Sequence, residues 1–255
     1  MTNLSTSALR RVWQLLWGLL AVSAVAVAFG AVSPYLIGDP ENSTMPLNPD
    51  APAHFLTIVL HAAPGGLALL IGPFQFVGGL RRRAPKVHRV LGRVYLICVV
   101  AASAAAVFAT MISTSGLAAQ AAFYLLVAAW LYTLAQAYRT IRRGEVALHR
   151  IWMIRNYALT FAAVTLRLYL GLGVMAQTVD PTLTFEAVYT ASAWASFVGN
   201  VLVVEYFIVQ RALRPLVGRG RGRDGASEVG ARRPAEHGSQ EHGSAARAPV
   251  AEQPV

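Results

Sequence analysis

The 255-residue chain is 55% hydrophobic, carries only 13% charged residues and has a mean hydropathy of +0.48, too apolar for an ordinary soluble domain. Its formal charge of +10 raises nucleic acid as a partner, but the basic residues lie in loops flanking apolar runs, which argues for membrane topology and against nucleic acid. A single cysteine, Cys98, excludes a disulfide framework and a thiolate metal site.

Arg10 and Arg11 precede an apolar run at about 12–32 that is long for a signal peptide and reads as a first membrane helix. A loop rich in proline and acids follows, with Pro34, Asp39, Pro40, Glu41, Pro46, Pro49, Asp50 and Pro52. Helix two is expected at about 54–80 and contains His61, Pro64, Gly72, Pro73 and Gln75. Pro64 and Pro73 leave the carbonyls of Leu60 and Leu69 without helical donors, and hydrocarbon offers no water to replace them. His54, His61, Gly65, Gly72 and Gly79 share one stripe of this helix, and glycines in line let a neighbouring helix approach closely.

Basic residues Arg81, Arg82, Arg83, Lys86 and Arg89 close helix two. Helices three, four, five and six are expected at about 90–112, 117–138, 149–174 and 187–210, each near the roughly 20 residues a bilayer requires. Trp13, Trp17, Trp130, Tyr138 and Trp152 read as interfacial belt residues. From Arg214 the composition shifts to Gly, Arg, Ala, Pro and Ser, predicting a disordered tail over 214–255 whose first arginines lie on anionic lipid headgroups.

The fold class is therefore all-α: a six-transmembrane-helix bundle over 12–213, preceded by a short N-terminus at 1–11. With the N-terminus inside, segments 1–11, 81–93, 139–155 and 211–255 are cytoplasmic and hold 21 of the 22 Lys and Arg residues. The intervening outer loops hold none, so the expected location is the plasma membrane with both termini cytoplasmic.

The exception is Arg167, inside helix five. His149, Asn156, Thr160 and Arg167 fall at offsets of 7, 11 and 18 residues, within about 20° of one helical line. An arginine in an apolar span costs about 2.5–3.5 kcal/mol on insertion scales, so this stripe should face protein or water. His61 and Arg167 share the outer half, and with Gln75 and Asn156 they form the candidate ligand site, for an anionic or quinone-like molecule. The structural alternative pairs Arg167 with Glu186 and His61 with a carbonyl freed by the kink.

A short internal echo marks the inner boundary. Arg82–Val90 and Arg142–Ile151 each run from basic residues to an apolar residue and His-Arg, and then reach Arg93-Val94-Tyr95 or Arg155-Asn156-Tyr157. His88 and His149 are then at equal depth. They form a candidate ligand pair for a b-type haem, with Arg89, Arg93, Arg150 and Arg155 facing the propionates. The plainer reading makes both histidines interfacial anchors, and Glu205 is expected to pair with Arg155.

The combination of His61, Gly72-Pro73-Phe74-Gln75-Phe76, Arg81-Arg82-Arg83, His88-Arg89, Leu91-Gly92-Arg93 and Tyr95 resembles a bacterial family of predicted membrane proteins, domain of unknown function 2306. His149-Arg150, Met153-Ile154-Arg155 and Tyr157-Ala158 are similar to its later block. The resemblance covers roughly residues 54–210 and implies a multi-helix membrane protein. It supplies no reaction.

Overall fold

The structure, a computed structural model, describes residues 6–43 and 45–230. Its elements are α1 (Thr6–Leu36), a 3₁₀ turn (Pro40–Asn42), α2 (Ala53–Gln75), α3 (Gly78–Arg83), α4 (Pro85–Met111), α5 (Leu117–Arg142), α6 (Val146–Thr160), α7 (Ala162–Gln177) and α8 (Phe185–Gly230). The described residues contain no strand. Six segments are long and apolar enough to cross a bilayer: Gln14–Tyr35, Ala53–Gln75, Pro85–Met111, Leu117–Arg142, Val146–Gln177 and Phe185–Ile208. Many of their large apolar side chains are exposed, Leu15, Val22, Ile97 and Leu202 among them, as expected of faces that meet lipid. The chain is thus an all-α polytopic membrane protein with a bilayer as its solvent.

The described residues divide into two units at Val209 and Gln210. In the second, the backbone of α8 continues as helix to Gly230, and residues 231–255, where most of the expected disordered tail falls, lie outside the described residues. The side chains of the tail arginines, expected on lipid headgroups, also lie outside what is described.

Within the first unit α2 packs chiefly against α4 and α1, and α5 against α6. Helices two and three therefore pack together, as do helices four and five. Helix two is shorter than expected. It stops at Gln75, where the Phe76 and Val77 amides turn back to the carbonyls of Pro73 and Phe74, and the basic residues form the separate α3. Helix five is divided. The amide of Val164 reaches back only three residues to Phe161, a 3₁₀ step that ends α6 and starts α7. Gly144, at φ 77°, turns the chain between α5 and α6 in a left-handed conformation that favours glycine.

Close approach on the α2 stripe is selective. A Cβ on Gly72 would overlap the ring of Tyr157 from α6, so no other residue fits there without rearrangement. Gly65 faces Ala102 of α4 with ordinary van der Waals room, and Gly79 meets only Val77 beside it. The Gly72–Tyr157 contact also answers the proline problem. Pro73 cannot donate to Leu69, and the Tyr157 hydroxyl donates to that carbonyl instead, at 3.1 Å.

The core between α4, α5 and α6 is a polar network. Tyr95 Oη donates to Asn156 Oδ1 at 2.7 Å and lies 2.8 Å from Thr160 Oγ1. Trp130 Nε1 donates to Thr160 Oγ1 at 2.9 Å, while Asn156 Nδ2 donates to the Trp130 carbonyl at 2.8 Å and to Thr133 Oγ1 at 2.9 Å. Trp130, expected in the interfacial belt, is instead a buried core residue: its indole N–H needs an acceptor in the bilayer, and Thr160 supplies one.

Candidate functional site

The residues singled out from sequence fall into three places, and the fold decides which of them meet. Asn156 is fully buried, and both its amide donors and its carbonyl oxygen are engaged in the core network. Gln75 and the pair His88 and His149 lie toward the arginine-rich end of the bundle. His61 and Arg167 lie toward the opposite end.

His61 sits eight residues into α2, about 12 Å from its start by the helical rise. Its Nδ1 lies 2.9 Å from the carbonyl of Ala102 on α4. The partner is thus an intact helical turn of α4 and not the carbonyl that Pro64 frees on α2. Arg167 lies on α7, about 15 Å from the end of that helix by the same rise. Its Nη1 donates to the carbonyl of Ala163 one turn back, at 2.8 Å.

The 3₁₀ step at Phe161 resets the register of α7. The guanidinium of Arg167 lies within electrostatic reach of His61 on α2, Tyr35 on α1 and Tyr189 on α8. Arg167 is exposed on the surface of the bundle, and its printed hydrogen bond is to its own helix. Glu186, its expected partner, is elsewhere: its carboxylate lies over Gly116 at the start of α5, where a Cβ would come within 2.7 Å of Oε1. Among the described residues Arg167 forms no ion pair, the one found being Arg155–Glu205.

Tyr35 and Tyr189 were missed in the sequence. Neither belongs to a polar stripe or motif of the sequence, and only tertiary packing places α1 and α8 near Arg167 on α7. Tyr189 is fixed by its ring contacts with Phe185 and Phe123, at centroid separations of 5.9 and 5.8 Å.

At the other end, His149 and Arg81 are electrostatic neighbours of His88. Nδ1 of His149 is 2.8 Å from the carbonyl of Ala137 on α5, whereas Nδ1 of His88 is buried and without a hydrogen-bond partner. Gln75 Nε2 is likewise buried and unpartnered. Arg93 is exposed on α4. Arg155 pairs with Glu205 of α8 through both carboxylate oxygens, at 2.5 and 2.8 Å, as Glu205 was expected to do, and lies 4.6 Å over the ring of Trp152. Among the described residues no group of three or more His, Cys, Asp or Glu converges as a metal site would require.

A family model described as a predicted membrane protein, DUF2306, matches residues 58–208. The match takes in most of α2 and all of the bundle through the bilayer part of α8, and leaves out α1 and the acidic loop. No curated protein and no solved structure matches the chain.

Proposed function

From the premise that the chain belongs to the DUF2306 family of predicted membrane proteins, we propose that it is a plasma-membrane receptor or carrier for a small anionic or quinone-like ligand. The ligand is held between α1, α2, α7 and α8 by Arg167, His61, Tyr35 and Tyr189. The observation that carries this reading is Arg167: a cation well inside a membrane span, without a carboxylate partner among the described residues, and accessible from outside. An arginine held so deep is costly unless it meets protein, water or a ligand, and such residues mark substrate paths. Its remaining guanidinium donors suit the oxygens of an anion or quinone, with tyrosine hydroxyls and an imidazole completing a mixed donor–acceptor wall.

The orientation that goes with this reading puts both termini and the arginine-rich end in the cytoplasm, supported by the 21 of 22 basic residues on that side. The cytoplasmic face then rests on anionic headgroups. Ligand binding is tested on the purified full-length protein with decanoate and a short-chain ubiquinone analogue as probes. Arg167→Ala, with an unchanged melting temperature, abolishes saturable binding of one of them, and Arg167→Lys restores part of it. If the variant binds both probes as the parent does, or if neither probe binds the parent, the reading fails.

A second reading is haem b between His88 and His149, supplying one-electron transfer. Its support is the mutual approach of the two imidazoles, and the Nδ1 contact of His149 with Ala137, which leaves Nε2 for a metal. The visible spectrum before and after dithionite tests it: a Soret band lost in His149→Ala supports haem, and a colourless folded preparation refutes it.

A further inference from the structure

We infer that the arginine-rich end of the bundle holds a site for one phosphate-class anion, formed by Gln75, His88 and Arg81 where the end of α2 meets the start of α4. The observation behind it is a pair of stranded polar atoms. Gln75 is 6% exposed, and its Nε2 is buried without a partner. Its Oε1 lies 3.6 Å from the point where a Cβ on Gly92 would sit, so the amide rests on α4 one helical turn from His88. Nδ1 of His88 is stranded too. Buried polar atoms are nearly always paired, so two together at one helix junction mark a place that a ligand completes.

The chemistry of that ligand follows from what converges there. The Gln75 amide donates, Arg81 donates and carries charge, and a neutral His88 donates through Nδ1 in the tautomer that carries its proton there. His149, the other neighbour of His88, spends its own Nδ1 on the Ala137 carbonyl. The first turn of α4, with Pro85 at its start, adds a partial positive charge of the same sign. A metal cation would meet repulsion from every side. A phosphate presents acceptor oxygens in several directions, one for each donor, and pairs with arginine. The headgroup of a phosphatidic acid and free phosphate share this chemistry. The site lies at the opposite end of the bundle from Arg167 and does not depend on the reading given to that residue. A haem on His88 would exclude the anion.

The test uses the full-length protein in phosphatidylcholine nanodiscs doped with phosphatidic acid, with retained lipid counted by native mass spectrometry. One phosphatidic acid per chain should be retained saturably. Gln75→Leu should weaken retention about tenfold, the loss of one hydrogen bond to a charged group. It should not lower the melting temperature of the lipid-free protein, because the substitution removes a stranded donor. His88→Asn should act in the same direction, and Arg142→Ala, an exposed arginine on the neighbouring hairpin, should change nothing. Displacement by inorganic phosphate assigns the site to the free anion, and saturable retention without displacement assigns it to the headgroup. The inference is overturned by non-saturable retention, by equal loss in Arg142→Ala, by a lower melting temperature in Gln75→Leu, or by a Soret band in the same preparation.

Discussion

Tyr157 does two jobs with one side chain, and they separate by mutation. Its ring fills the space that Gly72 leaves open, and its hydroxyl takes the place of the amide that Pro73 lacks. Gly72→Ala therefore forces a methyl into the ring and should destabilise by about 1–3 kcal/mol, the usual cost of overpacking. Gly65→Ala, which meets Ala102 at 3.8 Å, should be close to neutral. Tyr157→Phe keeps the ring and strands the Leu69 carbonyl, at a cost of about 0.6–1.7 kcal/mol for a hydrogen bond in a membrane bundle. In a Pro73→Ala background residue 73 can donate to Leu69 again, so the same Tyr157→Phe change should cost less. Thermal unfolding in detergent of the four members of that cycle reads the difference, and equal costs in both backgrounds would show the hydroxyl to be irrelevant to the proline.

At the scale of elements, the spans are legible in the sequence because length and hydropathy alone decide whether a segment crosses a bilayer. The breaks are less so. The end of α2 is signalled by Pro73 and by Gly78-Gly79, but nothing at Phe161 signals that helix five divides. There the step is stabilised from outside, by the Asn200 amide of α8 donating to the Ala158 carbonyl at 2.9 Å. Tyr35 and Tyr189 escaped notice for the same reason, while the pair His61 and Arg167 was legible because depth and helical phase place ionisable residues without tertiary information.

The turn joining α7 to α8 carries its own prediction. The hydroxyl and amide of Thr182 both donate to Asp180 Oδ1, at 2.6 and 3.0 Å, and hold its carboxyl below the usual carboxylate range. A carboxyl so lowered stabilises the turn at neutral pH, and the contribution is lost as pH falls through the lowered value. Hydrogen exchange at residues 180–184, corrected for its intrinsic pH dependence, should accelerate on acidification. Asp180→Asn should remove that acceleration. A turn whose corrected exchange ignores pH would leave Asp180 without this role.

Across the whole molecule, α8 is attached to the bundle by polar contacts spaced along its bilayer segment. Trp194 donates to the Ala118 carbonyl on α5, Asn200 to Ala158 on α6, and Glu205 accepts from Arg155 on α6. Such contacts hold helices together in lipid, where apolar faces gain nothing by leaving the solvent. The ion pair differs from the other two in joining opposite charges. Its side chains are 24% and 38% exposed, so each charge keeps part of its solvation and depends on the other for the rest. Removing both charges should be tolerated, whereas removing one strands its partner within the membrane. Glu205→Leu should therefore cost about 1–3 kcal/mol, less than the 3–5 kcal/mol of a fully buried pair because of the residual exposure. The double variant Arg155→Leu with Glu205→Leu should recover most of that loss, since two apolar side chains pack across the same α6–α8 seam. Unfolding in a mild detergent measures all four corners of the cycle. Additive losses would mean that α8 is held by Asn200 and Trp194 and that the ion pair contributes nothing to the seam. A double variant more stable than Glu205→Leu alone would mean that the charges specify where α8 docks more than how tightly.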